Sequence, residues 1–184
     1  MTNLEFKARS RNPATIHHVL AEHNIPLAAT LRQTDTYFQA KNGRLKLREI
    51  EGEKTQLIFY KRPDAAEVKR SDYLIASISS AAALREVLGA AYGIRTVIKK
   101  IRELYLLPRQ LSGSAGAKAD ARSRLHLDTV DGLGKFLEIE VILQEGESPQ
   151  QAEQEARQWL QEFGIVPEDL LAGSYADLLE SRLA

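Results

Sequence analysis

Polar and apolar residues alternate along much of the chain, the period of a strand that buries one face. Leu4-Glu5-Phe6-Lys7 alternates, and so does Arg44-Leu45-Lys46-Leu47-Arg48, which follows an Asn42-Gly43 pair suited to a hairpin turn. The same pattern predicts strands over Gln56–Tyr60, Asp72–Ile75, Thr96–Leu106, Arg122–Val130 and Lys135–Leu143, with a turn at Asp131-Gly132-Leu133-Gly134 joining the last two. Helical spacing interrupts this series. Asn12-Pro13 offers an N-cap with proline at N1, and Ile16, Val19 and Leu20 then share one face. Ser80–Tyr92 reads as an alanine-rich helix that Gly93 stops. Ser148-Pro149-Gln150-Gln151 combines an N-cap, an N1 proline and a capping-box Gln, predicting a helix to about Phe163, ahead of Gly164 and Pro167. A last helix covers Tyr175–Leu183. These elements predict an α+β fold of mostly antiparallel strands, with the helices grouped outside the sheet. Leu111-Ser-Gly-Ser-Ala-Gly-Ala-Lys118 has small residues and no apolar period, and reads as a flexible surface loop.

At 184 residues the chain is the size of one domain, spanning 1–184. The absence of cysteine excludes disulfides, a thiol nucleophile and Cys-ligated zinc or iron–sulfur centres. Apolar runs stay short of the roughly eighteen residues that span a bilayer, and the start, Met1 to Lys7, lacks the apolar stretch of a secretory signal. Both observations predict a cytoplasmic protein with no membrane partner.

The 25 Lys and Arg balance 25 Asp and Glu, but the neutral total hides an uneven distribution. From Glu138 onward there are eleven acids and two bases, so residues 1–137 carry the compensating excess of +9. Most of the acids in the C-terminal helices are expected to form a solvated face. Walker A, Gly-x-Gly-x-x-Gly, His-Glu-x-x-His and Gly-x-Ser-x-Gly motifs are all absent. His17, His18 and His23 lie on or just after the first helix as surface or packing residues, whereas His126 shares a strand face with Arg124 and Asp128.

The strand faces carry the candidate chemistry. Arg44, Lys46 and Arg48 share one face, Lys100 and Arg102 another, Arg122 and Arg124 a third with His126 and Asp128, and Glu138 and Glu140 a fourth. Any one strand of this kind fits a sheet with one wet side. Three basic strands in succession, however, repel one another unless an anion lies between them. Closing such a sheet would gather the bases into a charged tunnel. Lys and Arg there would suit phosphate oxygens, and carboxylates would suit Mg²⁺ or Mn²⁺.

Asn3-Leu-Glu-Phe-Lys7 resembles the Glu-x-Glu-x-Lys signature that opens the CYTH superfamily of class IV adenylyl cyclases, thiamine triphosphatases and related triphosphate tunnel enzymes. The resemblance continues in order through Gln33-Thr-Asp-Thr-Tyr-Phe38, Gly43-Arg-Leu-Lys-Leu-Arg48, Lys69-Arg-Ser-Asp-Tyr73, Lys100-Ile-Arg102, His126-Leu-Asp128, Leu133-Gly134 and Phe136-Leu-Glu-Ile-Glu140. Ser174-Tyr-Ala-Asp-Leu-Leu179 resembles the end of the class IV cyclase-like members. The resemblance implies an eight-stranded antiparallel closed β-barrel, flanked by helices, with a triphosphate bound inside. It implies metal-binding roles for Glu5, Glu138 and Glu140, with Asp128 a further candidate. It implies phosphate binding by Lys7, Arg44, Lys46, Arg48, Lys61, Arg70, Lys100, Arg102 and Arg124, with Arg62 the alternative to its neighbour Lys61. Tyr37 is a hydrogen-bond candidate at the reaction centre, with a packing role as the alternative.

The implied function is metal-dependent phosphoryl transfer on a triphosphate-bearing small molecule, with Mg²⁺ or Mn²⁺ as cofactor. A class IV adenylyl cyclase would turn ATP into cyclic AMP and pyrophosphate; a triphosphatase would hydrolyse tripolyphosphate, thiamine triphosphate or a nucleotide. A non-catalytic polyphosphate- or nucleotide-binding module is the third reading. Nucleic acid is not expected as a partner, since only 7% of residues are aromatic and the C-terminal helices are acidic. A homodimer is left open. One departure matters: the signature's first Glu is Asn3, which keeps a carbonyl oxygen but loses a charge. Asn3→Glu is therefore expected to strengthen or relocate Mn²⁺ binding, and unchanged Mn²⁺ affinity by calorimetry would contradict this.

Overall fold

The computed structural model describes residues 2–108, 123–143 and 148–183. Its strands are β1 (Thr2–Arg9), β2 (Leu27–Phe38), β3 (Arg44–Ile50), β4 (Thr55–Lys61), β5 (Lys69–Ile78), β6 (Ile94–Leu107), β7 (Ser123–Val130) and β8 (Gly134–Ile142). Each pairs antiparallel with its neighbours in the order β1-β5-β4-β3-β2-β6-β7-β8, and β8 returns to β1 to close the barrel. The helices are α1 (Pro13–Glu22), α2 (Ala81–Tyr92), α3 (Pro149–Glu162) and α4 (Tyr175–Leu183), with one 3-10 turn at Pro167–Asp169. The α+β expectation and the closed eight-stranded barrel both hold.

The alternation along the strands is inverted relative to an ordinary small barrel: polar residues face in and apolar residues face out. On β1, Leu4, Phe6 and Ala8 point outward while Asn3, Glu5 and Lys7 line the inside. On β8, Leu137, Ile139 and Val141 do the same opposite Glu138 and Glu140. The main core therefore lies outside the barrel, where this wall meets Ile16, Val19 and Leu20 of α1 and Ala152, Ala156, Trp159 and Leu160 of α3. A second cluster, which includes Ile98, Val130, Phe136 and Tyr175, closes one end of the barrel.

The 12-residue β2 is the strand that alternation did not predict. Polar residues occupy both of its faces, Gln33 and Asp35 inward and Arg32 and Thr34 outward, so no hydrophobic period marks it. At α1 and α3 the prolines stand at the first helical positions as expected, but neither Asn12 nor Ser148 caps with its side chain. Ser148 Oγ instead donates to Gln150 Oε1 at 2.6 Å, so the capping box is not formed. Gly43 ends the β2–β3 connection at φ +81°, where a Cβ would lie 2.7 Å from the Tyr60 carbonyl oxygen. The sequence-predicted loop at 111–118 lies outside the described residues.

Several acids expected on a solvated C-terminal face are paired. Asp169 accepts from Arg11, Glu155 from Ser123 Oγ, and Asp177 and Glu180 from Arg95. Trp159 is fully buried between α3 and the barrel wall, stacked on Phe163 at 5.5 Å between ring centroids. Trp159→Ala is expected to lower unfolding free energy by about 3–5 kcal/mol. Urea denaturation measures this, and a loss below 1 kcal/mol would place the main core elsewhere.

Candidate functional site

Seven bases and four carboxylates line a cavity of about 420 Å³ inside the barrel. Their positions follow from strand parity. On β3 the inward residues are Lys46 and Arg48, on β6 Lys100 and Arg102, on β1 Glu5 and Lys7, and on β8 Glu138 and Glu140. Arg62, Arg124, Asp35 and His126 complete the charged lining.

Two buried aspartates organise the inner bases, each gripping a Lys-x-Arg pair on the adjacent strand. Arg48 donates from Nε to Asp35 Oδ1 and from Nη2 to Oδ2, both at 2.7 Å, and Lys46 Nζ donates to Oδ2 at 3.1 Å. The same arrangement recurs at Asp128. Arg102 donates to both of its oxygens at 2.7 Å, Lys100 Nζ to Oδ2 at 3.3 Å and the Tyr175 hydroxyl to Oδ2 at 2.8 Å. Burial opposes charge on these carboxyls, yet the facing Arg and Lys outweigh it, so both titrate below the usual carboxylate range. The lysines are affected oppositely: burial first, then the neighbouring Arg, lowers Lys100 to about 7 and Lys46 to about 8.

A further network lies on the β1–β8 side. Glu138 pairs with the Lys7 ammonium at 3.1 Å and accepts from Arg102 Nη2 at 2.6 Å, and these cations overcome burial to hold its pKa below the usual range. Glu5 accepts from Arg62, but burial together with Glu138 and Glu140 still raises its pKa. Burial and Arg102 lower the pKa of His126. The Lys7 ammonium sits 3.9 Å from the centroid of the Tyr175 ring, a cation–π contact at the closed end.

The structure sorts the residues named from sequence. Lys7, Lys46, Arg48, Lys100, Arg102 and Arg124 face the cavity, as do Glu5, Glu138, Glu140 and Tyr37. Arg44 does not line it: it lies at the closed end, donating to Asp64 at 2.7 Å and Asp177 at 2.9 Å. Lys61 and Arg70 point out of the barrel, which corrects the expectation that they reach phosphate. Tyr60 faces in, so Lys61 faces out and Arg62 faces in; Ser71 faces in, so Arg70 faces out and pairs with Asp72 at 3.1 Å. Counting parity from Tyr60 would have chosen Arg62. Asp128 is not among the residues that line the cavity. It accepts on Oδ2 from Arg102, Lys100 and Tyr175 and on Oδ1 from Arg102, and so anchors the bases of β6 in the wall.

Sequence reasoning missed Asp35, Lys69 and Tyr175. Asp35 was legible only as part of a family block, and Lys69 as the start of another. Lys69 Nζ donates to the carbonyl oxygens of Ala65, Leu171 and Ala172 and so ties the C-terminal segment to the barrel end. For a metal, the donors that come together are His126, Glu138 and Glu140, whose ligand atoms all lie within 4.8 Å of one another. His126 Nδ1 is buried and has no hydrogen-bond partner among the described residues, so this set fits a divalent ion.

Partly neutral lysines in an anion site imply proton linkage. A bound polyanion favours the ammonium form, raising the pKa of Lys100 and Lys46 from their depressed values. Tripolyphosphate binding is therefore expected to take up protons near pH 7–8 and to weaken as pH rises toward about 9. Calorimetry in buffers of different ionisation enthalpy measures the uptake; proton release or a flat profile would contradict it.

Residues 1–175 match the CYTH domain family. Among solved structures, the PH1012 protein of Pyrococcus horikoshii superposes with a TM-score of 0.79 at 21% identity, covering 96% of this chain and 98% of that one. A protein of Vibrio parahaemolyticus, described as a candidate adenylate cyclase, gives 0.74 at 17% identity with 98% of both chains covered. A Hippeastrum protein, described as a candidate adenylyl cyclase with a dominant triphosphatase activity, gives 0.57 at 17% identity, covering 94% of this chain and 91% of that one. No curated protein matches the chain. At these identities the structures speak to the fold alone, which is that of the barrel seen here. The family match, over residues 1–175, shows that this chain belongs to the CYTH family.

Proposed function

We propose that the chain is a metal-dependent phosphoryl-transfer enzyme that takes ATP by its triphosphate and forms cyclic AMP and pyrophosphate. The observation that carries this reading is the order of chemistry along the tunnel. On β6, Lys100 and Arg102 are followed toward the open end by Leu104 and Leu106. Across the β6–β7 ladder, Asp128 pairs with Arg102, His126 with Leu104 and Arg124 with Leu106. The candidate metal donors thus stand one step nearer the mouth than the inner bases. Leu106 and Ile75 are 45% and 43% exposed at that rim, an apolar setting for an organic head group.

With the β and γ phosphates on Lys46, Arg48, Lys100 and Arg102, the α-phosphorus would lie level with His126, Glu138 and Glu140. The ribose 3′-hydroxyl oxygen would then attack that phosphorus, its proton passing to water, and the bond to the departing pyrophosphate would break. Arg48 and Arg102 hold the leaving group through N–H donors not used on the aspartates. Their side chains are fixed before substrate arrives, so little reorganisation is needed as charge develops. A divalent ion held by His126, Glu138 and Glu140 would supply charge stabilisation at the reacting oxygens.

A triphosphatase is the second reading, favoured by the activity described for the Hippeastrum neighbour. The same bases would hold the anion in another register, with water directed at the terminal phosphorus. Incubation with ATP, tripolyphosphate and thiamine triphosphate, each with Mg²⁺ or Mn²⁺, separates the readings by product. Cyclic AMP and pyrophosphate support cyclisation, and orthophosphate supports hydrolysis. Arg48→Ala and Glu138→Gln are each expected to lower kcat/KM by about 100-fold or more. Full activity in both folded variants would overturn the tunnel as the reaction site.

A further inference from the structure

Among the described residues, Leu31 on β2, Ile75 on β5, and Leu104 and Leu106 on β6 face the lumen without joining either hydrophobic core. Their apolar surface packs against no other element, which leaves it to whatever enters the barrel. One polar residue stands at the lower edge of this rim. Along β2 the inward neighbours of Gln33 are Leu31 on the mouth side and Asp35, the anchor of the inner bases, on the floor side. Across the sheet Gln33 pairs with Ile50 in one direction and Lys100 in the other. It therefore sits where the lining changes from aliphatic to cationic.

Gln33 is 4% exposed, and its Oε1 is buried with no hydrogen-bond partner among the described residues. Native structures rarely leave a buried amide oxygen in that condition. A phosphate oxygen is the wrong partner, because both atoms only accept. A hydroxyl is the right one: it donates to the amide oxygen, and it can also accept from the amide nitrogen.

We propose that Gln33 is a specificity-determining residue that accepts a hydrogen bond from the ribose 2′-hydroxyl of a nucleoside triphosphate, whose base rests on Leu31, Ile75, Leu104 and Leu106. The inference rests on the reading that ATP enters by its triphosphate. Phosphates, sugar and base then run outward in the same order as bases, amide and aliphatic rim. Cyclisation engages the 3′-oxygen at the α-phosphorus, so the 2′-hydroxyl is the one left to meet the amide. Tripolyphosphate has neither sugar nor base, and thiamine triphosphate lacks the sugar.

Calorimetry on the full chain in EDTA reads binding of ATP, 2′-deoxy-ATP and tripolyphosphate without turnover. The parent protein is expected to bind 2′-deoxy-ATP about threefold to tenfold more weakly than ATP. Gln33→Met keeps the length of the side chain but removes the acceptor. It should weaken ATP by the same factor of about threefold to tenfold and leave 2′-deoxy-ATP and tripolyphosphate unchanged. Leu106→Asn, at the exposed rim, should weaken both nucleotides about fivefold and spare tripolyphosphate. Equal affinity of the parent for ATP and 2′-deoxy-ATP, or equal weakening of all three ligands by Gln33→Met, would overturn the proposal. If such a protein still makes cyclic AMP, this inference falls and cyclisation stands. A parent that prefers ATP by its 2′-hydroxyl but releases orthophosphate supports the subsite and overturns cyclisation. Absence of ATP binding overturns both, since the bases are in place before any metal arrives.

Discussion

The barrel interior depends on two aspartates in its wall. Isolated buried cations are strongly disfavoured, and the paired Lys-x-Arg motifs of β3 and β6 would repel across the lumen without compensation. Asp35 and Asp128 each satisfy one such pair from the neighbouring strand. They neutralise only part of the charge, so a net cationic lining survives. They also hold each guanidinium flat against the wall, fixing two of its five donors and leaving others for an anion. Removing either aspartate would strand two buried cations, a larger disturbance than the loss of any single base.

The C-terminal segment makes this open-ended barrel into a site with a floor. Tyr175 reaches Asp128 through its hydroxyl and lies beneath Lys7 through its ring. Lys69 and Arg62 bind the backbone just before it, and Asp177 joins Arg44 and Arg95. The floor and the inner bases therefore share one hydrogen-bonded network. Motion of this segment would be felt at Asp128, and through it at Lys100 and Arg102. The acids of the chain's end, with Asp177 held below its ordinary pKa chiefly by hydrogen bonds from Ser174 that outweigh its partial burial, serve as fastenings as much as solvated charge.

Much of this was legible from residue order. Seven strands, all four helices and the polar face of each strand followed from period and turn chemistry. The eighth, β2, was hidden because a strand with polar residues on both faces carries no hydrophobic signal. Within the site, residues on strands with a clear alternation were placed correctly, as Lys46 and Arg48 show. Lys61 and Arg70 were misplaced because they sit at strand ends, where resemblance to a block identifies a neighbourhood but not which side chain faces in. Asp128 is a candidate ligand by chemical type, and only its donors, drawn from β6 and α4, reveal its role as an anchor for the inner bases. Such long-range contacts leave no trace in local spacing.

The placement of the hydrophobic core outside the barrel has a further consequence. Leu137, Ile139 and Val141 serve stability while Glu138 and Glu140, between them on the same strand, serve the lumen. The two tasks occupy alternate letters of one sequence and meet different surroundings. Inward positions such as Asn3 and His126 can change chemistry without opening a void among packed side chains. Such a scaffold lets reaction chemistry diverge at nearly constant architecture, and structures only 17–21% identical to this chain retain the same barrel.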